Sequence, residues 1–296
     1  MKQSITKLVL TILILFNMES QAQSFKTIEA NNLKIQVYNA SENSFGVASV
    51  IVSGKTDAIL IDAQFTLADA EKVAQEIKTS GKKLTTIYVS HGDPDFYFGL
   101  EVFKKYFPEV IAFSSPATVE HIKATAQKKL EVWGERLGKN ITSNVILPQV
   151  LKGNTIELEG HKLEIIGLEE FPTKTFVWIP SIRTVVGGIN VFGTTFNLWM
   201  ADAQTPEARK SWVSVLDTIT ALNPEIVIPA HANTNSPFDI SAVKHTKTYI
   251  QFYEEALKIS KKSEDLIKAI KVKYPTLTFE IALQIGAKVT TGEMKW

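Results

Sequence analysis

The sequence predicts an α/β fold, and three observations carry that reading. Strand-like apolar runs open the chain. A strand, helix, strand order over 58–89 has the length of a parallel crossover, and the second half repeats the theme of strands followed by a helix without repeating the sequence. Residues 33–38 alternate apolar and polar side chains as a half-buried strand does. Residues 47–52 and 58–61 read as buried strands, with Gly54-Lys55-Thr56-Asp57 as the turn between them. Residues 67–80 carry Val73, Ile77 and alanines at helical spacing, and lead to a strand over 84–89. After a loop at 90–97 come a helix over 98–107, a strand over 110–113 and a long helix over 116–137, whose Pro116 suits a first helical turn. Strands follow near 155–158, 162–168, 175–179 and 184–189, then a helix over 206–222 and a strand over 225–229. The tail from about 240 to 296 reads as three helices separated near Lys262 and Pro275. No linker divides the chain, so residues 23–296 are expected to form one domain with a helical tail.

At 296 residues, 45% hydrophobic and 21% charged, the chain can bury a large core, which excludes disordered and fibrous classes. It has no cysteine, so any metal must be held by His, Asp or Glu, and disulfides and thiol nucleophiles are excluded together. Residues 1–22 read as a signal peptide: Lys2 and Lys7 precede an apolar run over 8–16, and the small residues Ser20 and Ala22 follow. That run is less than half of the roughly 20 residues that span a bilayer, so periplasmic or secreted localisation is expected and stable membrane insertion is not. Cleavage after Ala22 removes Lys2, Lys7 and Glu19 and leaves 30 basic against 30 acidic side chains. A neutral mature chain carries no global footprint for nucleic acid, and the pairs Lys104-Lys105 and Lys128-Lys129 read as solvated helix faces. A small molecule is the expected partner, and nothing in the sequence fixes an oligomeric state.

Of five histidines, only His91 and His231 directly follow expected buried strands. His121, His161 and His245 fall in a helix, a polar turn and an amphipathic tail helix, and all three are expected at the surface. His91 stands in Val89-Ser90-His91-Gly92-Asp93-Pro94-Asp95-Phe96-Tyr97-Phe98-Gly99, at a strand end, where α/β proteins place their sites. His91, Asp93 and Asp95 around a Gly-Pro loop can point inward together and suit zinc, iron or manganese. The competing reading is a turn in which Asp93 and Asp95 cap the next helix while Pro94 fixes the bend. His231, in Ile228-Pro229-Ala230-His231-Ala232, reads by itself as a hydrogen-bonded histidine at a strand end.

The first of these segments resembles the signature of the metallo-β-lactamase superfamily, a strand ending in H-x-H-x-D-H followed by a glycine, with His91-Gly92-Asp93-Pro94-Asp95-Phe96 and Gly99 in its place. Ile59-Leu60-Ile61-Asp62 is similar to the family's strand ending in a supporting aspartate, and Val227-Ile228-Pro229-Ala230-His231 to its final V-P-G-H. The resemblance spans nearly all of the chain after residue 22 and implies a four-layer αββα sandwich. It implies the metal ligands His91, Asp93, Asp95, Glu170 and His231, with Glu170 near the place of the family's middle histidine. Asp93 and Phe96 replace two histidines of the signature, and Ile189 stands where a bridging aspartate is expected. The reduced set implies one divalent ion, zinc by family, with iron or manganese favoured by the extra carboxylate. The implied activity is hydrolysis of a small-molecule ester, lactone or lactam by a metal-activated water, with Asp95 orienting the water or acting as base. Phe96 and Tyr97 would line an apolar pocket, in that hydrolase or in the alternative, a binding protein that kept the fold and lost the chemistry. An iron-dependent redox role, by analogy with the superfamily's diiron flavoproteins, is a third reading. Trp178, Trp199 and Trp212 are expected in core or rim packing.

Overall fold

The computed structural model describes residues 25–296, so the signal peptide expected over 1–22 lies outside the described residues. A first sheet holds β1 (Lys26–Ala30), β2 (Leu33–Asn39), β3 (Ala48–Ser53), β4 (Asp57–Ile61), β5 (Lys83–Val89), β6 (Ile111–Ser114) and β7 (Gln149–Val150) in sequential order. β1 to β4 are antiparallel and β4 to β7 parallel. A second sheet runs β12-β11-β10-β9-β8, formed by β8 (Thr155–Leu158), β9 (His161–Ile166), β10 (Phe176–Ile179), β11 (Thr184–Val186) and β12 (Ile226–Val227).

Period-two alternation sorts the strand residues onto two faces. Leu33, Ile35 and Val37 of β2, Val50 and Val52 of β3 and Ile59 and Ile61 of β4 meet Leu163, Ile165, Val177, Ile179 and Val186 in a core between the sheets. The opposite faces are covered by helices. α1 (Leu67–Ser80), α2 (Pro94–Tyr97), α3 (Leu100–Tyr106) and α4 (Pro116–Leu137) belong to the first half of the chain, and α5 (Pro206–Ala221) and α6 (Ile240–Ile259) to the second. Ile51, Leu60 and Ile87 with Val73, Ile77 and Ile122, and Phe176, Trp178 and Val185 with Trp212, Leu216 and Val243, form the outer core. The layers are therefore helix, sheet, sheet, helix, as the resemblance implies. α7 (Ser263–Lys273) and α8 (Glu280–Thr290) complete the three-helix tail, which joins the outer core through Tyr253, Leu266, Ile270 and Leu283. No helix among the described residues is long and apolar enough to cross a membrane.

Several elements differ from the sequence reading, among them β7, which has no expected counterpart. β1 precedes the first expected strand and pairs with β2 alone. The last strand before α5 stops at Val186 because Gly187 and Gly188 both take positive φ, which leaves the sheet. The helix expected over 98–107 spans Leu100–Tyr106, and a separate short helix, α2, forms within the expected loop at Pro94–Tyr97; Gly99 lies between them, where a Cβ would lie 1.9 Å from the Ala63 carbonyl oxygen. That contact explains the glycine: only its bare Cα lets the loop after β5 pass the loop after β4.

Candidate functional site

The parallel strands β4 and β5 end side by side, and an aspartate fastens the second loop to the first. Asp62 accepts hydrogen bonds from the Ser90 backbone N–H at 2.7 Å and the Ser90 hydroxyl at 2.6 Å. Ser90 Oγ accepts in turn from the Gly188 N–H at 2.7 Å, which ties the second sheet to the same point. Burial pushes the Asp62 carboxyl up to about 7, against the opposing Ser90 hydrogen bonds. Held in this way, the next residues carry His91, Asp93 and Asp95 inward. α2 starts at Pro94, and the Asp93 side chain makes no capping hydrogen bond, so the capping reading fails for it.

His91 Nδ1 accepts the Asp93 backbone N–H at 3.3 Å, which assigns the ring proton to Nε2, and stands 3.5 Å from Asp93 Oδ2. His231 Nδ1 lies 3.0 Å from the Phe45 carbonyl oxygen, so that nitrogen donates and Nε2 turns its lone pair toward Asp95 Oδ2 at 3.6 Å. The backbone of His231 is clamped between 46–48 and 191–193. Its ring stacks between Phe192 at 5.0 Å and Phe279 at 6.1 Å. The fully buried Phe96 ring stands between the two imidazoles, with centroids 5.2 Å from His91 and 5.7 Å from His231. In these apolar surroundings desolvation pushes both His91 and His231 down to about 4. Burial and the neighbouring Asp93 carboxylate hold Asp95 well above the usual carboxylate range.

The pH consequences have opposite signs. Each imidazole, about 6.5 when unfolded, contributes stability above that value that is lost as pH falls toward about 4. Asp62 contributes stability below its unfolded value that is lost as pH rises through about 7. Nitrogen-15 imidazole spectra should show His91 and His231 still neutral at about pH 5.5. Ordinary titration of His91 or His231 near pH 6.5 would contradict the dry packing described above.

Two lysines complete the site. Lys129 of α4 places Nζ 3.0 Å from Asp93 Oδ1. Burial raises the Asp93 carboxyl, but His91 and Lys129 together outweigh it and hold it below its ordinary value. Lys174, just before β10, stands with Nζ 4.6 Å from the Trp212 ring centroid, and burial lowers its pKa. Asp202 accepts the Trp296 indole N–H at 2.6 Å, and burial and Asp93 push its carboxyl up to about 6.

These neighbours test whether a metal fits. Among the described residues no group of three or more His, Asp or Glu converges as a ligand set. Lys129 already neutralises the carboxylate that would have to ligate. The Phe96 ring stands between the imidazoles of His91 and His231. Glu170, expected as a ligand, is exposed in the turn 168–170 and lines neither cavity at the site. The residues present do not fit a metal centre of the implied kind.

The same loops enclose two spaces. An inner chamber of about 30 Å³ touches Asp95, His231, Ile189, Trp199 and Phe279, enough for about two waters. Beside it lies a cleft of about 690 Å³, and Asp93, Lys129, Trp133, Ile189 and Trp296 form the wall common to both.

Several expected positions change. Phe96 and Tyr97 line neither space; both are fully buried core residues at the start of α2, so their pocket role is withdrawn. Ile189 does face both spaces. His121 is exposed, but His161 and His245 are half-buried, His161 with Nδ1 2.8 Å from the Ser181 hydroxyl and His245 with Nε2 3.0 Å from the Phe196 carbonyl oxygen. Trp212 is core and donates to the Asn190 carbonyl, while Trp199 stands at the chamber wall. Sequence reading missed Lys129, Lys174, Asp202 and Trp296. Lys129 was legible: it falls on the buried stripe Val119, Ile122, Ala126, Trp133 of α4, at helical spacing, where a solvated lysine does not belong.

Comparison with known proteins agrees with the layers and the strand ends. The family model described as metallo-beta-lactamase superfamily matches residues 43–181. A metallo-beta-lactamase from Pontibacter korlensis superposes with a TM-score of 0.55 at 19% identity, covering 77% of this chain and 99% of that one. The DIM-1 metallo-beta-lactamase superposes with a TM-score of 0.52 at 17% identity, covering 77% and 97%. A metallo beta lactamase from Hirschia baltica gives 0.51 at 17%, covering 77% and 98%. No curated protein matches the sequence. Residues 43–181 thus match the model of the metallo-β-lactamase superfamily, and the chain shares the fold of solved metallo-beta-lactamases.

Proposed function

We propose that this chain is an exported small-molecule binding protein that uses the superfamily's fold without its metal. The observation that carries the reading is the Lys129–Asp93 pair: the protein's own ammonium takes the position at Asp93 that a metal would need, beside a cleft of ligand size. Charge supports it. Lys129 already supplies the counter-charge to Asp93, so a dication there would have to displace a partly buried ammonium. Export rests on residues 1–22, and amino-terminal sequencing of the periplasmic or secreted protein should begin at Gln23.

A second reading, metal-dependent hydrolysis of a small-molecule ester, lactone or lactam, draws on the His231 tautomer, whose Nε2 lone pair faces Asp95, and on the hydrolase-like structural neighbours. Turnover of chromogenic esters, lactones and β-lactams with zinc, manganese or ferrous iron added separates the two. The binding reading expects no turnover above that of His91→Ala. Turnover that needs both the metal and His91 would replace it with the hydrolase.

A further inference from the structure

Four lysines and two aspartates line the cleft, and the cations are unevenly engaged. Lys128 and Lys295 belong to its wall, and Lys129 is held by Asp93. Lys174 is different. Its stem is half-buried, its amine stands over the Trp212 face, and among the described residues no carboxylate forms an ion pair with it. Asp202 and Asp93 lie within electrostatic reach, but neither forms an ion pair with it, and Asp93 is already paired with Lys129. An incompletely compensated cation deep in a cleft is most strongly relieved by an anion that brings its own charge, because the low local dielectric strengthens that attraction. The cleft is also lined by the aromatic residues Trp133, buried, and Trp296, exposed.

Resting on the binding reading above, we infer that the ligand is a small organic acid: its anionic group sits on Lys174 Nζ, and a flat apolar body lies against Trp133 and Trp296. The space of about 690 Å³ suits a compound of drug size, and the lysines of the wall favour the approach of an anion. The Trp296 indole also donates to Asp202, so the aromatic wall holds one carboxylate of the cleft in place.

A pair of fluorescent probes tests this. 8-Anilinonaphthalene-1-sulfonate is an aromatic anion, and N-phenyl-1-naphthylamine carries the same rings without the charge. Wild-type protein should bind one sulfonate per chain at least about tenfold more tightly than the neutral probe, the scale of one charge-assisted contact. Lys174→Met keeps the stem on Trp212 and should bring the sulfonate to the level of the neutral probe, while Lys174→Arg retains the preference. Trp296→Ala, at a residue 42% exposed, should weaken both probes. Equal affinity of the two probes for wild type overturns the anion assignment and leaves the binding reading standing, and it decides the matter even if a lysine variant does not fold. A sulfonate preference that persists in folded Lys174→Met overturns the assignment to Lys174. Binding of neither probe, together with metal-dependent turnover, overturns the binding reading itself.

Discussion

Replacing Lys129 by alanine is expected to destabilise the protein and, in the same step, to open it to divalent metal. The pair it forms with Asp93 is mostly shielded, with side-chain exposures of 22% and 14%. Removing one partner leaves Asp93 beside Asp95 and Asp202 without a direct counter-ion, and breaking a pair of this kind costs about 2–4 kcal/mol. The pH dependence should change as well. A carboxylate held below its ordinary value contributes stability above that value and loses it as pH falls through the folded one, so the variant should lose part of the acid limb below about pH 4. Zinc or manganese can then supply the missing charge, and at about 100 times its dissociation constant it would return about 2.7 kcal/mol. Thermal unfolding with and without metal reads both effects. The wild-type midpoint should not respond to metal, and the variant's should be lower and rise with it. An equal metal response in the two proteins would remove Lys129 from its assigned role.

Phe96→Ala should cost about 3–5 kcal/mol, the usual range for emptying a fully buried aromatic site. The loss comes from the void left between His91 and His231, since the ring touches the edge of both imidazoles. Water entering that void would move the titration of His91 and His231 from about 4 back toward about 6.5. Denaturant unfolding and the imidazole spectra together distinguish this outcome from a pocket-lining role. A pocket residue would change ligand affinity with little change in stability.

The layers were legible in the sequence because each element obeyed a local rule. Alternation marked β2, buried β-branched runs marked β3 and β4, and helical spacing with Ser115 and Pro116 at its start marked α4. The residues His91, Asp93, Asp95 and His231 were legible as loop residues at strand ends, and the structure places Asp93, Asp95 and His231 on the inner chamber and His91 on the neighbouring cleft. Their state was not legible, because it is set by partners distant in sequence: Lys129 lies 36 residues from Asp93, and Phe45 lies 186 from His231. Lys129 carried a sequence signal that the pairing with Lys128 obscured, since only one of two adjacent helix residues can face the core. Lys174 carried none, because a lysine before a strand reads as solvated until the cleft around it is known.

Metal content is the most direct measurement. The chain from Gln23, expressed with zinc, iron and manganese supplied, would be analysed by mass spectrometry beside His91→Ala and Lys129→Ala. A site already neutralised by its own lysine should yield no stoichiometric metal in wild type or His91→Ala, with uptake appearing in Lys129→Ala. About one equivalent in the wild type, lost in His91→Ala, would contradict a metal-free cleft and restore a mononuclear metal centre.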